Sequence, residues 1–243
     1  MIETNIIEIF SSIQGEGKYV GCRQIFIRFS NCNLKCIYCD TNCNADNFYK
    51  VLDASGNVIE TFKNPATPHN VAAVINKIVD ADGAPPQAVS FTGGEPLLHT
   101  QFIKEIAELI DYKIFLESNG TLYNELAAII DCIDIISMDI KLPSVVGKNL
   151  FKEHQRFMEI AKNKDLYVKI VITGETTQEE FLMAVKIVAG ASKNILLILQ
   201  PVTPVGEVKP ATIEQLLSFQ ALALKYLSDV RIIPQTHKMM NVI

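Results

Sequence analysis

The chain has 243 residues, of which 49% are hydrophobic and 20% charged, and its formal net charge is −5. This length can bury one large core, so we expect a single domain over residues 1–243. Lysine and arginine are scattered, which argues against the concentrated basic surface of a nucleic-acid-binding protein and favours a small-molecule substrate. Residues 1–10 lack the features of a secretory signal, and no apolar run is long enough to span a membrane. We therefore expect a cytoplasmic protein with no membrane and no nucleic-acid partner.

The predicted elements alternate between strands and helices along the chain. An extended segment at 6–10 and a glycine-rich turn at 15–21 come first. Short apolar runs predict strands at 24–29, 88–92, 113–117, 133–139, 167–172, 195–199 and 230–233. Helical periodicity predicts helices at 70–80, 101–110, 124–130, 149–161, 178–189 and 213–227. This alternation favours an α/β fold, in which helices cover a parallel sheet that is closed or partly closed into a barrel.

One segment, at about 43–70, interrupts the alternation. Two extended runs at 48–52 and 58–62 flank a turn at 53–57, which predicts an inserted β-hairpin. We expect a surface insertion without a catalytic role, because insertions in loops are widely tolerated.

Polar and glycine-rich residues follow the carboxyl end of almost every predicted strand. In parallel α/β sheets and barrels these ends meet at one rim and carry the active site, so we expect all the chemistry there. The segments concerned are 31–41, 93–96, 118–121, 139–141, 173–174, 200–201 and 235–237.

Four of the six cysteines lie within twelve positions, from Cys32 to Cys43. Cys32, Cys36 and Cys39 have the spacing C-x3-C-x2-C, in which three thiolates can bind three irons of a 4Fe-4S cluster and leave the fourth iron open. A zinc site, or a closed electron-carrier cluster with Cys43 as fourth ligand, is the alternative. Ferredoxin motifs begin with a two-residue gap and end in Cys-Pro, whereas here the first gap is three and Asn44 follows Cys43.

The cysteine loop after the first barrel strand resembles the radical S-adenosylmethionine (SAM) superfamily. Further motifs resemble, more narrowly, the 7-carboxy-7-deazaguanine synthase family, and this similarity covers most of the chain. The hairpin insertion and Cys43 depart from it. The motifs are SIQGEG at 12–17, FIRF at 26–29, CDT at 39–41, FTGGEP at 91–96, ESNGT at 117–121, SMDIK at 137–141 and PQTHK at 234–238.

This resemblance implies a partial, open parallel β/α barrel of the radical SAM type and a lyase activity. A reduced cluster gives one electron to SAM, which releases a 5′-deoxyadenosyl radical, and this radical takes hydrogen from 6-carboxy-5,6,7,8-tetrahydropterin. Loss of ammonia then gives 7-carboxy-7-deazaguanine for queuosine and other deazapurines. No side chain is expected to be catalytic, because the cofactors carry the chemistry. The resemblance also implies Mg²⁺, a homodimer, and an electron donor such as flavodoxin or ferredoxin.

The resemblance assigns SAM-binding roles that agree with the chemistry of the residues. Gly93 and Gly94 allow the backbone close to the methionyl group, and Glu95 offers acceptors to its ammonium. Asp139 and Lys141 lie on one face of a buried strand, where charges require a polar ligand or each other. The expected cofactor-binding residues are Tyr38, Asp40, Gly93, Gly94, Glu95, Glu117, Ser118, Asn119, Ser137, Asp139, Lys141 and Gln200.

Arg28 and Thr41 are expected at the substrate side of the site. The planar guanidinium of Arg28 suits the pterin carboxylate, the alternative being a structural ion pair with an unassigned acid. Thr41 is implied as a Mg²⁺ ligand, the alternative being a hydroxyl that caps a turn. His69, His99 and His154 are expected at solvated helix starts or faces. The expected pterin-binding residues are Ile13, Gln14, Gly15, Arg28, Thr92 and His237, and the metal ligands are Cys32, Cys36, Cys39 and Thr41.

Two other functions remain open at this point. An activase that generates a glycyl radical on a partner protein also uses C-x3-C-x2-C, but it would need neither Arg28 nor the threonine after Cys39 and Asp40. From a different class, an iron–sulfur electron carrier would have a closed cluster that does not respond to SAM.

Overall fold

Ten strands form one open sheet in the computed structural model, which describes residues 2–243. In chain order they are β1 (Ile6–Ile13), β2 (Arg23–Phe29), β3 (Phe48–Leu52), β4 (Val58–Lys63), β5 (Ala88–Gly93), β6 (Ile114–Ser118), β7 (Ile135–Asp139), β8 (Asp165–Ile172), β9 (Leu196–Pro201) and β10 (Val230–Ile232). Their order across the sheet is β10-β9-β8-β7-β6-β5-β2-β1-β3-β4. The seven strands from β10 to β2 are parallel, whereas β1–β2 and β3–β4 are antiparallel pairs. The predicted α/β fold with an open, mostly parallel sheet is confirmed.

Helices connect the parallel strands, and local sequence explains several of their ends. The Thr67 side chain caps the first helix, which Gly83 ends in the left-handed conformation with φ 66°. Thr177 and Glu180 form a capping box at a later one. The helices are α1 (Pro68–Asp82), α2 (Thr100–Leu109), α3 (Tyr123–Ile129), α4 (Pro143–Val146), α5 (Phe151–Ala161), α6 (Gln178–Ala191), α7 (Ile213–Ala223) and α8 (Thr236–Met240). None of these described helices is long and apolar enough to cross a membrane.

The two faces of β2 separate the core from the pocket. Ile25, Ile27 and Phe29 are at most 1% exposed and belong to the main apolar core, together with the buried faces of the helices. Phe26 and Arg28 point to the other side, where they line a pocket. Side chains alternate between the two faces of a strand. The residues on one face therefore pack into the apolar core and hold the strand in place, while those on the other face line the pocket. Burying each large apolar side chain is worth about 1.5–3 kcal/mol.

The predicted hairpin is present, but it extends the sheet instead of lying on its surface. β3 pairs in parallel with β1, and β4 pairs with β3. Tyr49 is fully buried, and its ring stacks on Phe62 with the centroids 5.4 Å apart. The hairpin therefore covers β1, which would otherwise be an exposed edge strand.

Candidate functional site

The carboxyl ends of the parallel strands and the loops that follow them enclose a pocket of about 500 Å³. This volume lies in the range of small-molecule sites. Among the residues expected at the site, Glu95 is absent from the pocket wall. The expected residues that line it are Ile13, Gln14, Gly15, Arg28, Cys32, Cys36, Tyr38, Cys39, Asp40, Thr41, Thr92, Gly93, Gly94, Glu117, Ser118, Asn119, Ser137, Asp139, Lys141, Gln200 and His237.

The thiols of Cys32, Cys36 and Cys39 all reach this pocket, whereas Cys43 is not part of its wall. Burial raises the pKa of Cys36 to about 11, although nearby Lys141 opposes the shift. Within residues 2–243, no three histidine, cysteine or acidic side chains are close enough to share a single metal ion. A cubane cluster binds its three thiolates through three different irons, so this spacing and donor set fit a 4Fe-4S cluster with one open iron.

Gly93 and Gly94 hold the cysteine loop against the sheet. The Gly94 amide donates to Phe29 O at 3.1 Å, and a Cβ on Gly94 would collide with the carbonyl group of Asn31. Gly93 has φ +108°, and a Cβ there would lie 2.6 Å from the Phe29 nitrogen. The close approach of two backbone segments therefore explains both glycines, in addition to the predicted approach of SAM.

Glu95 lies beneath the pocket, which differs from its predicted position at the SAM ammonium. Its carboxylate is fully buried and accepts hydrogen bonds from the Asn119 amide (2.8 Å), the Ser118 hydroxyl (2.9 Å) and the Leu97 amide (3.2 Å). Burial raises the pKa of Glu95 to about 7, although these hydrogen bonds oppose the shift. Glu95 thus shapes the turn that presents Ser118 and Asn119 to the pocket.

A group of buried charges lies at the end of β7 and in the middle of β8. Lys141 donates to Asp139 Oδ2 at 2.7 Å, which confirms the expected pairing, and its Nζ lies 3.3 Å from the Tyr38 hydroxyl. Lys169 pairs with Glu16 and lies 3.7 Å from Asp139 Oδ2. Sequence reasoning missed Glu16 and Lys169. The signal for Lys169 was its charge within an apolar strand run.

Glu117 joins two residues expected at the pterin. Its Oε1 accepts from Gln14 Nε2 at 2.9 Å, and its Oε2 accepts from the Thr92 hydroxyl at 2.7 Å. Gln14 also donates to Gln24 Oε1 at 3.1 Å. Glu117 was expected to bind SAM, but these contacts connect it with the substrate side of the pocket.

Arg28 has the acidic partner that sequence reasoning could not assign. Its Nε donates to Glu8 Oε1 at 2.7 Å, and its guanidinium carbon lies 5.7 Å from the centroid of the Phe10 ring. In the part of the chain that the structure describes, neither Nη nitrogen makes a hydrogen bond. All three residues line the pocket, so the outer fork of the guanidinium can still bind a carboxylate.

His154 differs from expectation. It is fully buried, and its Nε2 lies 3.2 Å from the Asn119 carbonyl oxygen, so its expected position on a solvated face is wrong. His99 lies at the start of α2, a helix start as expected, and is half-buried because its ring stacks on Phe29 with the centroids 5.0 Å apart. His69 is exposed, as expected. His237 packs against Gly15, where any side chain would collide with the imidazole.

Thr41 and Gln200 also line the pocket. Thr41 lies in the cysteine loop next to Asp40, whose carboxylate accepts from Lys238 Nζ at 2.5 Å. Gln200 is 4% exposed, and its buried Oε1 has no hydrogen-bond partner among the described residues. A buried acceptor without a partner is costly, so this oxygen suits a ligand donor.

Comparisons with known proteins agree with this geometry. Residues 26–188 match the Radical SAM superfamily. The chain is 39% identical to the 7-carboxy-7-deazaguanine synthase of Geobacter sulfurreducens, with 96% of each chain covered. It is 37% identical to the enzyme of the same name from Methanocaldococcus jannaschii, covering 98% of this chain and 100% of that one.

Solved structures have the same fold at low identity. QueE from Escherichia coli superposes with a TM-score of 0.60 at 18% identity and covers 98% of this chain and 96% of its own. A radical SAM methyltransferase from Sphaerobacter thermophilus gives 0.57 at 12% identity, covering 87% and 66%. At these identities the likeness concerns the fold alone.

Proposed function

The chain belongs to the 7-carboxy-7-deazaguanine synthase family of the radical SAM superfamily, and we propose on that premise that its pocket converts 6-carboxy-5,6,7,8-tetrahydropterin to 7-carboxy-7-deazaguanine with loss of ammonia. The product enters the biosynthesis of queuosine and other deazapurines. One observation carries the proposal. The three thiols that suit a cluster and the guanidinium that suits a carboxylate line the same cavity.

The cluster side of the pocket is built by Cys32, Cys36 and Cys39. Bound there, the 4Fe-4S cluster and SAM supply the radical chemistry. Asp139 Oδ1 is buried without a partner among the described residues, as is Gln200 Oε1, so both oxygens can accept hydrogen bonds from SAM. The Glu95 carboxylate holds the turn that orients Ser118 and Asn119 toward the same ligand.

The pterin side is built by Arg28, Gln14, Thr92 and Glu117. Arg28 can bind the substrate carboxylate through two parallel hydrogen bonds. Glu117 receives one donor on each oxygen, and a carboxylate oxygen can accept a second hydrogen bond from the pterin amino group. Charge and hydrogen-bond complementarity of this kind fixes orientation, which radical abstraction at a single carbon requires.

Mg²⁺ is part of the proposal, with the Thr41 hydroxyl as a protein ligand and the pterin carboxylate completing the site. Mg²⁺ takes few protein ligands and keeps several waters, so a single hydroxyl is sufficient. Thr41→Ala should lose Mg²⁺ stimulation of turnover while the cluster and SAM binding are retained. Thr41→Ser, which keeps the hydroxyl, should be stimulated normally. If Thr41→Ala responds to Mg²⁺ as strongly as the unmodified enzyme, the hydroxyl is no ligand.

We further propose that the protein is a single domain, forms a homodimer, is located in the cytoplasm and receives electrons from a flavodoxin or ferredoxin. All ten strands of the described chain belong to one sheet, which supports a single domain. Lys35 and Ile37 are exposed on the cysteine loop, so a protein donor can approach the cluster there. Ile213 and Leu217 in α7 and Leu224 directly after it are exposed, which suits contact with a second chain. Sedimentation equilibrium tests the dimer.

One anaerobic assay tests the activity itself. Cluster-loaded protein is incubated with SAM, dithionite, Mg²⁺ and 6-carboxytetrahydropterin, and the products are identified by mass spectrometry. We expect 7-carboxy-7-deazaguanine and ammonia. If neither product forms but SAM still perturbs the electron paramagnetic resonance spectrum of the reduced cluster, the protein is a radical SAM enzyme with another substrate.

A further inference from the structure

Lys169 is a buried positive charge within strand β8. The β8 residues from Leu166 to Ile172 are all buried, and Lys169 is the charged one among them. The Lys169 side chain is 10% exposed and lines the pocket. An ammonium in this position is costly unless acidic partners offset the loss of water.

Its first partner, Glu16, lies in the loop after β1. Glu16 also accepts from Gln235 Nε2 at 2.7 Å, and its amide donates to Gln14 Oε1 at 3.0 Å. Burial alone would raise the pKa of Glu16, but the charge and hydrogen bonds of Lys169 and the amide of Gln235 lower it to about 2. Glu16 is therefore a fixed carboxylate beside the residues proposed to bind the pterin.

Its second partner, Asp139, lies at the end of the neighbouring strand, β7. Asp139 Oδ2 faces both lysines, with Lys141 at 2.7 Å and Lys169 at 3.7 Å. Asp139 Oδ1 is buried in the pocket and has no partner within residues 2–243. The two ammonium groups thus hold one oxygen of Asp139 and leave the other to a ligand on the SAM side.

We infer that Lys169 is a positioning residue that holds a carboxylate on each side of the pocket, so that pterin and SAM affinities both depend on one ammonium. The inference rests on the proposed function. Lys141 contacts only the SAM-side carboxylate, and Gln235 contacts only the pterin-side one. Lys169 is the described residue that contacts both.

The test measures two constants in cluster-loaded enzyme. The pterin KM comes from product formation with dithionite, and the SAM Kd comes from equilibrium dialysis of the oxidised enzyme, in which no turnover occurs. Lys169→Met should raise both by about tenfold or more, because it leaves two buried carboxylates short of a partner. Lys169→Arg keeps the positive charge, so its pterin KM and its SAM Kd should both lie close to those of the unmodified enzyme. Gln235→Leu should raise the pterin KM and leave the SAM Kd unchanged.

Two further variants separate positioning from folding. Lys209→Met removes an exposed ion pair with Glu175 away from the pocket and should change neither constant. If Lys169→Met does not fold, the double variant Glu16→Gln/Lys169→Met is used instead, because it also removes the pterin-side carboxylate that would otherwise lack its partner. The SAM Kd of the double variant should still be raised.

Two results would overturn the inference. In one, the lysine variants have a lower Tm but normal constants. In the other, only one of the two constants changes. A lack of product from the unmodified enzyme, by contrast, would overturn the proposed function, while the SAM titration of Lys169→Met would still report on the SAM half of the inference.

Discussion

Arg28 is held on two sides before any substrate binds. Glu8 accepts from its Nε, and the Phe10 ring lies under its guanidinium. A planar guanidinium loses little conformational entropy when it forms two parallel hydrogen bonds. In Arg28 this loss is smaller still, because the bond from Nε to Glu8 already fixes the side chain. Glu8 also balances the charge of Arg28, so the substrate carboxylate adds a second anion to a cation that is already paired.

Arg28→Lys is therefore expected to raise the pterin KM by about tenfold or more, because an ammonium cannot reproduce the fork or the contact with Phe10. SAM cleavage without pterin, measured as 5′-deoxyadenosine, should persist. An unchanged pterin KM would exclude Arg28 from substrate binding.

The cysteines lead to an equally specific expectation. Only Cys32, Cys36 and Cys39 reach the pocket, and three thiolates suffice when SAM occupies the open iron. Cys36→Ala should abolish cluster absorbance and SAM cleavage, whereas Cys43→Ala should retain both. Iron and sulfide analysis of the anaerobically reconstituted variants measures this. A Cys43→Ala protein without a cluster would contradict the radical SAM site derived above.

At the scale of elements, the turn after β5 joins two functions. It packs against the cysteine loop through Gly93 and Gly94, and it continues into Glu95, which organises the turn after β6. A change at this turn therefore reaches the cluster and the SAM-binding residues together.

Gly94→Ala should reduce both the Tm and the fraction of enzyme that binds a cluster, because the new Cβ collides with the backbone of Asn31 rather than with a movable side chain. Gly190→Ala is the matched control. Gly190 lies in α6 with open space around its Cα and no positive φ, so alanine there should stabilise the protein by about 0.5–1 kcal/mol. Thermal unfolding and iron content check both. Normal cluster content in Gly94→Ala would show that the loop can move aside.

At the scale of the whole molecule, Glu95 should make stability depend on pH. Its pKa in the folded protein, about 7, lies above its ordinary value of 4.5 because the carboxyl group is buried. Its contribution is therefore fully present below about pH 4.5 and is lost as the pH rises through 7. At about 1.4 kcal/mol for each unit of pKa shift, the change is on the order of 3 kcal/mol.

Glu95→Gln should remove this dependence, because glutamine does not titrate. Buried His154, with a pKa lowered by burial to about 4, acts in the opposite direction over an overlapping range. The informative quantity is therefore the difference in unfolding free energy between the two proteins, measured by urea unfolding from pH 4.5 to 8. A difference that does not vary with pH would refute the buried ionisable role of Glu95.

The parallel strands could be predicted well because most of them are short apolar runs with polar residues at their ends. β5 and β6 lie within one residue of the predicted bounds. α4 and α8 were missed, since helices of four and five residues have no periodicity to detect. The pocket residues could be predicted from strand ends and motifs. The Glu16–Lys169 pair could not, because its members are 153 positions apart and only the closed fold brings them together.

The order of strands in the sheet also bears on how the protein assembles during synthesis. From β6 to β10, each strand pairs with the one made just before it, and β5 pairs with β2, so each newly synthesised strand from β5 onward finds its neighbour already present. Pairing between strands that are neighbours in sequence closes shorter loops than pairing between distant strands, which lowers its entropic cost. The pocket is different, because Gln235 and His237, which line it, follow β10 and leave the ribosome after all ten described strands. Ligand capture by the nascent chain must therefore wait until the sheet is finished.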